Sequence, residues 1–430
     1  MYAICADSKE RVLGVFRSTN RGASWTSIGG SEFNKEGQMT YGNCIVVHPT
    51  KPTVVLCGGV DLHLTTDGGK TWSQATHWDA DRGTSGYAHA DHHALAMPAG
   101  KPGRIYDAND GGMDLSDDSG VTWTNRSNGL AATMFYDIDV AQSDGQQYGG
   151  GSQDNGTITT VDGKPDDFSQ ILGGDGGWMV FDPKDATHLY ASYYNFNIFR
   201  WRGGKFTDVT PKNVPDSEHQ SVWMVYIVMD PNNASTVFTA STRVWRTNND
   251  GVSWTPVSGV LDGQPVSAIE VAPANSKLVY AGTERGGIFK SADGGNTWSG
   301  DISSAVLPGS IVTRIETHPT KANTVFVTVG GTGHSHLFRS DDAGQTWRDA
   351  DNGKLPDVPH HAVVVRPDQP DTIWVANDVS VFQSTDQGAT WGNFSGNLPN
   401  TMFIDLVYQQ KDKTLTVGTY GRSLWRTSIS

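Results

Sequence analysis

Cysteine is scarce in this chain. Three residues in 430, Cys5, Cys44 and Cys57, are scattered and form neither a disulfide framework nor a zinc spacing. Cys44 and Cys57 read as small apolar residues inside strands. Charge is thin as well, at 18% of residues, and its basic half is outnumbered, Lys+Arg 32 against Asp+Glu 46, for a net charge of −14. A phosphate backbone or an anionic bilayer needs a basic footprint, so nucleic acid is excluded as a partner. No apolar run reaches the 18 residues of a membrane span, which excludes insertion, and no signal peptide follows Met1. Serine-hydrolase (Gly-x-Ser-x-Gly) and zinc-protease (His-Glu-x-x-His) signatures are absent. Glutamate is rare too. Only Glu10, Glu32, Glu36, Glu218, Glu270, Glu284 and Glu316 occur, so any carboxylate chemistry is aspartate chemistry.

Glycine and tryptophan are plentiful, 50 and 14 residues. The tryptophans are ordered. Ser18 to Trp25, Thr65 to Trp72, Ser116 to Trp123, Thr247 to Trp254, Ser291 to Trp298, Ser340 to Trp347 and Ser384 to Trp391 all read Ser/Thr-x-Asp/Asn-x-Gly-x-Thr/Ser-Trp. Successive tryptophans are 47, 51, 131, 44, 49 and 44 residues apart, and the long gap is about three periods. Two degenerate units therefore lie between Trp123 and Trp254, with Phe168 and Phe206 near the missing tryptophan positions. Each unit has one grammar: a β-branched strand, a Pro/Asn/Lys turn, a second strand, a glycine-rich loop, a third strand, the box, and a short fourth strand opened by Trp. Such units predict an all-β fold, a β-propeller of four-stranded antiparallel blades with eight or nine repeats. In the box, the Ser/Thr and Asp/Asn side chains suit the backbone N–H groups of a tight turn. Its acids are structural, not catalytic.

The boxes resemble those of the Asp-box, or bacterial neuraminidase repeat, superfamily. Together with the HisProThr and AspProLys turns they look most like the family 74 glycoside hydrolases, the xyloglucanases, and related repeats occur in sortilin-like propellers. The resemblance implies a glycoside hydrolase acting on a neutral β-glucan-type polysaccharide such as xyloglucan through an acid and a base aspartate. It needs no cofactor and favours an extracellular or periplasmic setting. The alternative is a non-catalytic propeller that binds a glycan or a protein. Units begin near residues 42, 91, 134, 175, 222, 266, 311, 359 and 402. Met1 to Ile28 reads as the last three strands of a unit and Phe403 to Ile429 as the first three. One ring over residues 1–430, its termini meeting in a shared blade, is expected, with two unequal or incomplete propellers as the alternative.

Sites in such rings lie around the channel mouth, on second-to-third strand loops and blade-to-blade links. Tyr87 to Leu95 and Asp107 to Met113 come from one blade and supply His89, Asp91, His93 and Asp110. A strand period of two places residues 89, 91 and 93 on one side, a set suited to a divalent cation (His89, Asp91, His93), to acid/base work, or to holding the loops. Asp154 and Asp175 stand in glycine-rich loops. Trp178, Tyr193, Tyr194 and Trp223, with Glu284 and Arg285, offer platforms and polar contacts for sugar rings. AsnAspGlyGlyMet resembles the AspIleGlyGly loop that carries one aspartate of the family 74 enzymes, which assigns that role to Asp110. Asp175 is the second choice by context, with Asp154 and Asp91 behind it. An inverting pair stands about 6.5–9.5 Å apart.

Overall fold

The computed structural model describes residues 1–33, 36–165, 167–219 and 222–429. Among them the strands form ten antiparallel sheets of three or four strands, and the only helix is the single turn Asp216–His219. No helix is long and apolar enough to cross a membrane. The chain divides into two compact units, residues 1–130 and 131–430. Three sheets belong to the first and seven to the second. The strands at the two chain ends lie in different sheets, Tyr2–Ala6 with Val12–Arg17 and Thr26–Ser27, and Phe403–Gln409 with Thr414–Thr419 and Leu424–Ser428. The shared blade expected of the termini does not form, because each end segment makes a three-stranded sheet of its own. The repeats therefore number ten rather than eight or nine.

In every sheet the strands pair in chain order, as the unit grammar requires. The two degenerate units are real sheets, the one spanning residues 135–172 and the one spanning residues 176–208. In residues 131–430 the first strand of each sheet packs on the first strand of the next, and Phe403–Gln409 packs back on Phe135–Val140. That circuit makes this unit a closed seven-bladed β-propeller. Its seam is hydrogen-bonded: Met134 bridges Tyr420 antiparallel, the Ser423 amide donates to the Thr133 carbonyl at 2.9 Å, and the Gln409 amide side chain donates to the Gln142 carbonyl at 3.0 Å.

The box explains how sheets stay registered. Thr65 Oγ1 receives the Gly69 amide at 2.9 Å, Asp67 Oδ1 receives the Thr71 amide at 3.0 Å, and Thr71 Oγ1 donates to Asp67 Oδ2 at 2.8 Å. The same pattern recurs at Asp118, Asp293, Asp342 and Asp386. Hydrogen bonds from the Thr side chain and backbone hold the carboxyls of Asp293, Asp342 and Asp386 down to about 2. The box Trp then ties its sheet to the preceding one. Trp72 Nε1 donates to the Ile28 carbonyl at 3.0 Å, Trp123 to Ala75 at 3.1 Å, and Trp347 to Ile302 at 3.0 Å. Trp298 departs from this and bonds the carbonyl of its own turn, Gly295, at 3.1 Å. These acids are spent on turns, as the box chemistry predicts. Cys44 and Cys57 are buried in strands, also as expected, and all three cysteines are free.

Along the channel of the seven-sheet ring a second device joins the blades. Acidic residues of one first strand accept a backbone N–H from the next. Asp137 receives Met179 at 2.9 Å, Asp139 receives Phe181 at 2.7 Å, Glu270 receives Thr317 at 3.2 Å, and Glu316 receives Val365 at 3.2 Å. Asp405 completes the series by receiving the Ile138 amide at 3.3 Å, across 267 positions of sequence, while Arg314 bonds its other oxygen. Burial pushes the carboxyls of Asp139 and Glu270 up to about 7. Burial and the neighbouring Asp405 also raise the Asp137 carboxyl well above the usual carboxylate range, and burial and Glu270 do the same for Glu316.

Candidate functional site

In residues 1–130 the expected cluster forms, with one rearrangement. Asp91 adopts φ 61°, a left-handed conformation that breaks strand alternation, and the strand starts one residue later, at His92–Ala96. The period-of-two expectation for His89, Asp91 and His93 therefore fails. His89 remains in the preceding loop, its Nδ1 3.2 Å from the Ala90 carbonyl and its ring packed where a Gly111 Cβ would stand. His93 does reach the predicted aspartate, with Nε2 2.7 Å from Asp110 Oδ1. Tyr41 OH donates to Asp110 Oδ2 at 3.0 Å, and its ring meets His93 edge-on at 4.8 Å. Asp110 is thus gripped on both oxygens. Asp91 is buried, its Oδ1 has no hydrogen-bond partner, and carboxylate oxygens of Asp91 and Asp110 lie within 4.8 Å of each other. Burial, and then the Asp110 charge, raises the Asp91 carboxyl, which the three nearby histidines partly offset.

Sequence reasoning passed over His92. It is fully buried, with Nδ1 2.7 Å from Asp107 Oδ2. Asn109 Nδ2 bridges Asp107 at 2.9 Å and Asp114 at 2.8 Å, and Thr76 lies 3.4 Å from His92 Nε2. This closed network supports the strand that carries Asp110 at its end. The signal available was its first-strand position, where an inward polar residue needs a partner.

Asp154, Asp175, Tyr193, Tyr194 and Trp223 gather in one region of residues 131–430. Asp154, at φ 58° in the turn between Tyr148–Ser152 and Gly156–Thr160, donates its amide to Asp175 Oδ1 at 2.8 Å. The glycines before it are in strand rather than in a loop. A Cβ on Gly151 would stand 1.8 Å from the Gly177 carbonyl, so the two sheets approach as only glycine permits. Tyr193 lies over Gly174, beside Asp175, and packs against Tyr194 at 3.9 Å with the rings tilted by 38°; Tyr194 lies near-parallel to Trp223 at 5.9 Å. Trp223 is 56% exposed, so this row of three rings ends in open solvent. Burial raises the Tyr193 phenol to about 12, keeping it a neutral donor and acceptor. Of the loop read at residues 220–223, positions 220 and 221 lie outside the described residues.

Trp178 has a different place. It lines an axial cavity of about 290 Å³ and lies over Tyr226, ring centres 3.8 Å apart. Tyr136, Trp178, Tyr226, Ser267, Arg314, His361 and Ile404, one from or beside the first strand of each sheet, surround this cavity. Glu284 reaches it, while Arg285 is exposed and does not line it. The six residues proposed for substrate thus spread over an aromatic row beside Asp175, a half-open cavity on the axis whose wall also includes Trp223, and an outlying arginine.

No protein-family model matches this chain. Among curated proteins it is similar to a xyloglucanase, Xgh74A, of Acetivibrio thermocellus, 24% identical over 252 residues that make up 48% of this chain and 29% of that protein. A xyloglucanase of Hypocrea jecorina is 24% identical over 294 residues, 60% of this chain and 32% of the other. The chain thus spans about a third of the length of these relatives or less. Among solved structures, a GH74 enzyme of Niastella koreensis aligns at TM-score 0.27 and 15% identity over 99% of this chain and 90% of that one. The GH74 xyloglucanase of Xanthomonas campestris aligns at TM-score 0.33 and 13% identity over 100% and 78%.

Proposed function

We propose that this protein is a glycoside hydrolase acting on a neutral β-glucan-type polysaccharide such as xyloglucan. The observation that carries the reading is the shelf of Tyr193, Tyr194 and Trp223 beside Asp175 in residues 131–430. An exposed aromatic face such as that of Trp223 suits the apolar face of a pyranose ring, and a carboxylate near such a face is a candidate for proton transfer to or from a bound chain. The similarity to xyloglucanases supports the substrate class. One carboxyl must give its proton to the glycosidic oxygen while another takes a proton from the attacking water. Asp110 in residues 1–130 and Asp175 in residues 131–430 are each a candidate for one of these carboxyl roles. In residues 1–130 the hydrogen bonds from Tyr41 and His93 fix the orientation of Asp110, and Asp91 supplies the negative charge beside it. A divalent cation, if one is used, would draw on Asp91 and Asp110, with His93 and His89 at hand. Metal analysis of untagged protein, read against the His93→Ala variant, tests that role.

A reducing-end assay across a polysaccharide panel decides the main reading. Asp110→Asn and Asp175→Asn are each expected to lose about 10²-fold or more in kcat at unchanged folding. Inactivity of the native protein on every glycan, with retained glycan or protein binding, would establish a non-catalytic binding propeller instead.

A further inference from the structure

The axial cavity carries an inference of its own. It lies inside the closed ring of residues 131–430 and receives side chains from all seven sheets, so its shape is set by the most constrained part of the fold. At about 290 Å³ it falls at the lower edge of small-molecule sites, which start near ~300 Å³. It has room for one ring, not for a length of polymer.

Its chemistry selects among small ligands. Trp178, Tyr226, Tyr136 and Tyr420 supply aromatic surface, and Trp178 and Tyr226 are already fixed against each other at 3.8 Å. Arg314 supplies donors. Its one described hydrogen bond goes to Asp405, yet its side chain is 24% exposed although it sits on an innermost strand of the ring. Because the cavity is lined by this same arginine, its remaining N–H groups are reachable from it. Glu284 supplies an acceptor and is exposed. An organic cation would meet the guanidinium of Arg314. An anion would meet Glu284, and Asp405, which already engages Arg314. A neutral ligand with one apolar face and hydroxyls that both donate and accept meets neither obstacle.

We infer that this cavity is a binding pocket for a single neutral pyranose unit, a free monosaccharide or the terminal or branch residue of a glycan. Its ring would lie against the aromatic wall, with hydroxyls accepting from Arg314 and donating to Glu284. The pocket shares Trp223 with the aromatic row but requires no hydrolysis, so binding alone decides it, and a loss of cleavage with binding retained would count against the catalytic reading only.

Saturation-transfer NMR with glucose, xylose and galactose tests it, with glucuronate and tetramethylammonium as charged controls. At least one neutral monosaccharide is expected to bind saturably, and both charged probes at least about tenfold more weakly. Ile311, 37% exposed and lining the cavity, can be enlarged without removing a core contact. Ile311→Trp should abolish the signal while thermal unfolding and any polysaccharide cleavage persist. Glu284→Gln, which keeps the shape, should weaken binding about tenfold. Absence of binding by all three sugars, preference for either charged probe, or undiminished binding in Ile311→Trp would each overturn the proposal.

Discussion

Asp91 shows how one backbone angle redirects a prediction. Alternation through Tyr87 to Leu95 follows from side-chain period, but a left-handed residue at 91 resets the phase, and His92 rather than His89 or His93 takes the fully buried histidine position. Nothing in residue types alone distinguishes these phases, because the segment has histidine at 89, 92 and 93. Asp110, by contrast, was legible, since the Asp-Gly-Gly turn at a second-to-third strand loop places it by local grammar alone. His92 and Asp107 are both fully buried and paired at 2.7 Å. His92→Leu should therefore destabilise the surrounding fold by about 2–4 kcal/mol, because it leaves the buried Asp107 with only the Asn109 amide. Denaturant unfolding checks this, and a loss below about 1 kcal/mol would show that Asp107 is satisfied some other way. The box tryptophans act by simpler means. Trp347→Phe keeps most of the apolar area and deletes the bond to Ile302, so a loss of about 1–2 kcal/mol is expected.

At the level of strands, the ring's channel acids set a pH dependence opposite to that of a salt-bridged surface. Asp139 and Glu270 have folded-state carboxyls raised to about 7, against ordinary values near 4. The folded unit then holds protons that the unfolded chain has released. Its stability is full at low pH and falls as pH rises through about 7. Urea midpoints should decline from pH 5 to pH 8, and Asp139→Asn should flatten that decline. A midpoint that climbs over this range in the native protein, with no change of slope in the variant, would refute it. The strand positions themselves were largely legible. Units expected at 42, 91, 134, 175, 266, 311, 359 and 402 open with strands at Cys44, His92, Phe135, Gly176, Val266, Val312, His360 and Phe403. The exception is the unit placed near 222, whose strand starts at Ile227 because the chain first runs past Trp223 and bridges Met224 to Tyr194. The channel acids were not legible as ties, since each reaches a residue more than 40 positions away.

For the molecule as a whole, repeat counting found the units but not where the ring closes. Periodicity describes equivalent units, whereas closure depends on particular pairs such as Asp405 with Ile138 and Ser423 with Thr133. Residues 131–430 expressed alone should therefore fold cooperatively, giving one thermal transition and a β-type circular dichroism spectrum. A fragment ending at Asn400 should not, because it lacks the closing sheet and leaves both faces of the seam open. Asp405→Ala, which also strips Arg314 of its carboxylate, should cost about 3–5 kcal/mol in the same 131–430 fragment. The separation of 267 positions between Ile138 and Asp405 also sets an order in time. On the ribosome, strand Phe135–Val140 emerges early and waits, at roughly 5–20 residues per second, through tens of seconds of synthesis before its partner strand exists. During that interval its waiting edge offers a template to any neighbouring nascent chain. Yield in the cell should then depend on translation speed and chaperone supply more than on the stability of the finished ring.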